Sequence, residues 1–172
     1  MRTKILFALA GMLLLILAGC GYQLQGRNDR LPGEVRTLYV QLMENRTLEP
    51  FLENAVTNAV VERFARNHHM EIVEDRNQAD AILSGTITHY RNHSISYNRT
   101  DNIAEYRSEI VLEAGLRRAK DAVVLWKGSV KWAEEYSTSP NKVLQDDREN
   151  AAIELISERL ADELYSRIND DF

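Results

Sequence analysis

YRSEIVLEAGLRR, residues 106–118, decides the fold. Tyr106, Ile110, Leu112, Ala114 and Leu116 occupy even positions, while Arg107, Glu109, Glu113 and Arg117 occupy odd ones. A period of two with one apolar side and one charged side predicts a long strand with a covered face and a wet face. After Ala119-Lys120-Asp121 the alternation returns, with Val124, Trp126, Val130 and Trp132 set against Lys127, Ser129 and Lys131. Two such runs across a short polar turn predict an antiparallel hairpin.

Working outward, AILSGTITHY (residues 81–90) is rich in β-formers, and VRTLYVQL (residues 35–42) alternates Leu38, Val40 and Leu42 with polar neighbours. A short strand is expected over residues 70–74, paired as a hairpin with 81–90 across the polar turn 75–78. Between residues 50 and 66, Leu52, Ala55, Val56, Ala59, Val60 and Phe64 recur at helical steps behind Pro50, which suits a first helical turn. From 146 to 168, Ile153, Ile156, Leu160, Leu164 and Ile168 form one stripe, with Asp146, Asp147 and Glu149 expected in the first turn, where the helix dipole favours acids. The order β-α-β-β-β-β-α predicts an α+β sandwich: two helices packed on one face of a mixed, largely antiparallel sheet of four to five strands.

The amino-terminal end has its own logic. Arg2 and Lys4 precede an apolar run from Ile5 to Leu17, too short to span a bilayer comfortably and ordered like a secretory signal. It ends in Leu17-Ala18-Gly19-Cys20, which resembles a bacterial lipoprotein signal. Such signals imply cleavage before the cysteine and acylation of its sulfur and new amino group, so Cys20 is the expected lipidation site, palmitate included. Cys20 is the single cysteine, and a lone thiol in an oxidising compartment would otherwise be a reactive leftover. Several acyl chains hold a protein lastingly where one holds it marginally, so the membrane contact expected is a lipid anchor and not a span. Gly21 stands where lipoproteins retained at the inner membrane often carry Asp, which favours the periplasmic leaflet of the outer membrane.

Residues 1–19 are therefore a signal, 20–34 a lipidated tether mixing Gly, Asn, Asp and Pro32-Gly33, and 35–172 a single domain. About 150 residues remain after cleavage, enough for a real core. The charge is acidic, with 26 Asp and Glu against 21 Lys and Arg, which argues against a nucleic-acid binder held by phosphate neutralisation.

Catalytic signatures are missing from the sequence: no G-x-S-x-G elbow, H-E-x-x-H helix or glycine-rich phosphate loop occurs. His89 and His93 have no third ligand nearby, and Glu74-Asp75 and Glu134-Glu135 would point to opposite faces of a strand. No metal and no cofactor beyond the lipid on Cys20 is expected, and a hydrolase is the remaining catalytic reading. The sequons at Asn45, Asn92 and Asn98 are expected to be turns. RNHSISYNRTDNIAEYR, residues 91–107, is expected to be a long loop whose Arg91, Arg99 and Arg107 forks could hold phosphate, with Tyr97 and Tyr106 beside them. The charged face of Arg107, Glu109, Glu113, Arg117, Lys127 and Lys131 is the second candidate surface.

In order and spacing, CGYQLQG, LPGEVRTLYVQLMENRTLEP, VEDRNQADAILSGTI, SYNRTDNIAEYRSEIVLEAGLRR and EEYSTSP resemble the lipopolysaccharide-assembly lipoprotein family, LptE. That resemblance implies a non-enzymatic lipoprotein that plugs the lumen of the outer-membrane β-barrel translocon LptD, assists its assembly and contacts lipopolysaccharide during insertion at the cell surface. On this reading Arg91, Arg99, Arg107 and Lys120 are candidates for lipopolysaccharide or partner contact. The alternative is an outer-membrane lipoprotein that activates a peptidoglycan synthase. A tether of about fifteen residues reaches at most roughly 50 Å, which favours a partner at the membrane.

Overall fold

The computed structural model describes residues 35–170. Their elements are β1 (Thr37–Val40), β2 (Glu44–Asn45), α1 (Leu52–Ala65), β3 (Glu71–Ile72), β4 (Ala81–Tyr97), β5 (Ile103–Arg118), β6 (Val124–Ser137) and α2 (Lys142–Asp170), with a 3-10 turn at Arg76–Gln78. The sheet has six strands in the order β3-β1-β4-β5-β6, and β2 pairs separately with β4. The α+β class matches the expectation, with the two-residue β2 as an added strand.

β5 carries the alternation into three dimensions. Ser108, Ile110, Leu112, Ala114 and Leu116 are buried, and the intervening positions are half-buried or exposed. The register runs straight along β5–β6, with Ile110 opposite Trp132 and Leu112 opposite Val130. Trp126 and Val130 join the core, but Trp132 is 39% exposed, because β6 is the edge strand and its far end has no further strand beside it. Val124 is also exposed, lying where the register slips between Leu116 and Arg117.

The expected hairpin between residues 70–74 and 81–90 does not form. Both β3 and β4 run parallel to β1, on opposite sides of it, with Thr37 opposite Glu71 and Leu38 opposite Ala81. Two strands parallel to the same neighbour cannot be antiparallel to each other, and α1 supplies the crossover that a parallel β1–β3 pair requires. Asp80 clamps this corner: its carboxylate accepts from the N–H of Arg36 and Thr37 at 2.9 and 3.0 Å. Those two donors hold its carboxyl below the usual range.

Both helices lie on one sheet face. α1 buries Leu52, Val56, Val60 and Phe64, and α2 buries Ile153, Ile156, Leu160, Leu164 and Ile168. They meet through Phe64 edge-on to Tyr165 at 5.1 Å and through Arg63, which stacks over the Tyr165 ring at 3.7 Å and pairs with Asp162 at 2.7 Å. Two boundaries differ from expectation. Pro50 precedes α1 rather than opening it, since Phe51 is the N-cap. α2 begins at Lys142, so its first turn holds no acid; Asn141 Oδ1 caps it by accepting from the N–H of Val143 and Leu144.

Among the described residues no helix is long and apolar enough to cross a membrane. The signal, Cys20 and the tether lie outside the described residues.

Candidate functional site

The sheet face away from the helices is built from the odd positions of β5 and their partners. Arg91 stands opposite Glu109, and Arg107 sits between His93 on β4 and Glu135 on β6. Arg107 Nη1 reaches Glu135 Oε1 at 3.0 Å, with both side chains about half exposed, so the pair contributes little stability and chiefly sets the charge pattern. Glu113, Arg117, Lys127 and Lys131 are exposed on the same side. The result is a broad surface of interspersed cations and carboxylates.

Residues 91–107 are not a loop. β4 runs on to Tyr97 and β5 starts at Ile103, leaving a tight turn over 98–102. Asn98 Oδ1 accepts from the N–H and hydroxyl of Thr100 and from the N–H of Asn102, a hydrogen-bonded turn that ends the hairpin. The strands persist here because the ladder to β5 continues, with Asn92 opposite Ser108 and His93 opposite Arg107. From Arg91 to Ser94 inward and outward positions are both polar, so the sequence carries no alternation to reveal the strand.

Arg91, Arg99 and Arg107 therefore belong to one hairpin end, with Arg99 at its tip. Lys120 does not join them. It lies in the β5–β6 turn at the other end of β5, and a strand of 16 residues separates the two ends by about 50 Å. Lys120 instead lines an open cavity of about 540 Å³ with Arg76, Arg118 and Asp80. Arg118 is paired there with Asp121 at 3.0 Å.

A polar knot under the amino-terminal turns of α2 had no sequence signature. Glu149 Oε1 accepts from the Tyr90 hydroxyl at 2.6 Å and from Asn92 Nδ2 at 2.7 Å, while Asn92 Nδ2 also reaches the Tyr136 hydroxyl at 2.7 Å. Asn92 is thus a strand residue and not the turn expected of its sequon. Burial and the adjacent Glu149 carboxylate push the Tyr90 phenol far up, and burial raises Tyr136 as well. Glu49 is raised too, by burial and then by the charge of Glu149.

The two N-R-T sequences make side-chain turns, although Asn45 is also the last residue of β2 and pairs with Ile87. Asn45 Oδ1 accepts from the N–H and hydroxyl of Thr47, as Asn98 does for Thr100. His89 is exposed and His93 half-buried, and among the described residues no group of three potential ligands converges on a metal position.

Two helices layered on one side of a long-hairpin sheet, with a charged face left open on the other, define a small α+β sandwich of a kind found in bacterial lipoproteins. Lipoprotein B from Nitrosomonas europaea has a similar fold, with a TM-score of 0.59 at 11% identity over 87% of this chain and 90% of that one. So does rare lipoprotein B from Shewanella oneidensis, with a TM-score of 0.55 at 15% identity over 79% of this chain and 96% of that one. No curated relative matches the chain in sequence. The family model LptE, lipopolysaccharide-assembly, matches residues 35–168, and the chain belongs to that family. It is a non-enzymatic lipopolysaccharide-assembly lipoprotein.

Proposed function

We propose that this protein is held by lipid on Cys20 in the periplasmic leaflet of the outer membrane, where it plugs and assists assembly of an LptD-type β-barrel and contacts lipopolysaccharide on its way to the surface. The observation that carries the plug reading is the open charged face of β4, β5 and β6, opposite the face that both helices cover. Large outer-membrane barrels have polar interiors, and a hydrogen-bonding, mixed-charge sheet is the surface that such a lumen can accept. The acidic net charge of −5 places any lipopolysaccharide contact on local cations. Arg99 at the hairpin tip, with Arg91 and Arg107 behind it, is the concentration that suits a phosphorylated lipid headgroup. Lys120, at the far end, would form a separate contact.

Co-purification of the full chain with a large β-barrel after detergent extraction tests the plug; recovery with cell-wall synthases alone would transfer the reading to synthase activation. Cys20→Ala should leave unprocessed or soluble material without palmitate. Reversing Arg91 and Arg99 to Glu should weaken lipopolysaccharide binding in a salt-dependent way, whereas Lys120→Glu should leave most of it intact.

A further inference from the structure

Between β2 and α1 the chain makes a rigid turn that displays apolar side chains to solvent. Asn45 Nδ2 donates to the Glu49 carbonyl at 2.7 Å and to Glu53 Oε2 at 2.9 Å, and Thr47 Oγ1 accepts from the Glu49 N–H. β2 pins the start of this turn to β4, where Asn45 lies opposite Ile87. On this frame Leu48 is 103% exposed and Phe51 72% exposed. Single exposed apolar residues are ordinary, but two large ones held out by a hydrogen-bonded frame form a preorganised anchor.

The backbone adds a second, independent observation. Phe51 has φ 65° and ψ 3°, in the left-handed region, and provides no side-chain cap for α1. A residue with a Cβ is strained there and glycine is not, so the phenyl ring occupies a position where its own backbone would favour its removal. Inside the chain the exposed ring returns little burial in exchange. Its use lies outside.

We propose that Leu48 and Phe51 form a knob that inserts into an apolar pocket with a basic rim on a protein partner. Charge selects this occupant over a lipid surface: residues 44–53, which carry the knob, include Glu44, Glu49 and Glu53 against one cation, Arg46, which itself pairs with Glu44 at 2.9 Å. An acidic segment disfavours an anionic leaflet and favours a pocket bordered by Arg or Lys. Resting on the barrel reading above, the inference assigns the pocket to the barrel partner, outside the polar surface that meets the sheet.

The test uses the full-length chain and the purified LptD-type barrel. Phe51→Gly and Leu48→Ala together should weaken barrel binding at least ten-fold, while the melting temperature of the free chain stays the same or rises because strain is relieved. Wild-type binding that the double variant retains in full overturns the knob and leaves the plug reading standing. Absence of binding by the wild-type chain overturns both. If the double variant instead loses binding to phosphatidylethanolamine–phosphatidylglycerol vesicles and keeps the barrel, the knob is a lipid contact and the inference fails. A fall in melting temperature for Phe51→Gly alone, with barrel affinity unchanged, would make the ring structural and equally overturn it.

Discussion

The Tyr90 hydroxyl donates to Glu149 Oε1 at 2.6 Å, joining the centre of β4 to the second turn of α2. Glu149 also takes Asn92, so one carboxylate gathers two strand residues beneath the helix. Beyond Ile110 the inward positions of the sheet turn from aliphatic to polar, and this knot takes over from the hydrophobic core in holding α2 down. Tyr90→Phe removes one charge-assisted bond and leaves Glu149 with Asn92, so it should cost about 1–2 kcal/mol of unfolding free energy in urea titration. An unchanged midpoint would mean that water replaces the phenol without loss.

Glu49 is held above the ordinary carboxyl value by burial and by Glu149. The folded chain therefore binds this proton more tightly than the unfolded one, and stability is lost as pH rises from the unfolded value, about 4.3, through the raised folded one. Glu49→Gln should consequently be the more stable form at pH 7, with its advantage disappearing below about pH 4. Urea midpoints at the two pH values check it; an advantage that grows in acid contradicts the sign.

Gly85 is required by crowding. A Cβ there would lie 2.7 Å from Met43 Sδ, 3.0 Å from the Glu113 carbonyl oxygen and 3.0 Å from Leu112 Cδ1. Gly85→Ala should destabilise by about 1–3 kcal/mol, since Met43 can shift but the β5 backbone moves only with the ladder. Thermal unfolding measures this, and a melting temperature equal to wild type would show that Met43 yields freely.

Two arginines of α2 cap the open edge of β6. Arg167 Nη1 donates to the Ser129 carbonyl at 3.0 Å, and Arg148 Nη1 to the Ser137 carbonyl at 2.9 Å and, just past the end of the strand, to that of Thr138 at 2.7 Å. Thr138 N–H points back to Ala104 of β5, so in the regular ladder the odd residues of β6 turn their backbone groups outward. An uncapped edge is a template for another strand. Replacing Arg148 and Arg167 together with Ala should shift the chain towards concentration-dependent self-association in sedimentation velocity, while a strictly monomeric double variant would show that the caps do not guard the edge.

Legibility in the sequence followed contrast. In β5 every second residue from Ile110 to Leu116 is apolar, and in the two helices the stripes recur at three and four, so their positions and inward faces could be read directly. The two-residue strands β2 and β3 are too short to show a period, and only their pairing with β4 and β1 makes them strands. Past Tyr90, Arg91, Asn92, His93 and Ser94 are all polar, so a ladder resembled a loop. Arg91, Arg99 and Arg107 share that hairpin end, but Lys120, like them only in its charge, is a strand's length away.

By itself the sequence determined the α+β class, the helix-covered face and the charged open face, because burial must follow apolar periodicity. Its ordered segments also pointed to the lipopolysaccharide-assembly family. Only the tertiary structure decided that β3 and β4 flank β1, that Glu149 gathers Tyr90 and Asn92, and that Leu48 and Phe51 stand exposed. These depend on which distant residues meet, and local periodicity carries no information about that.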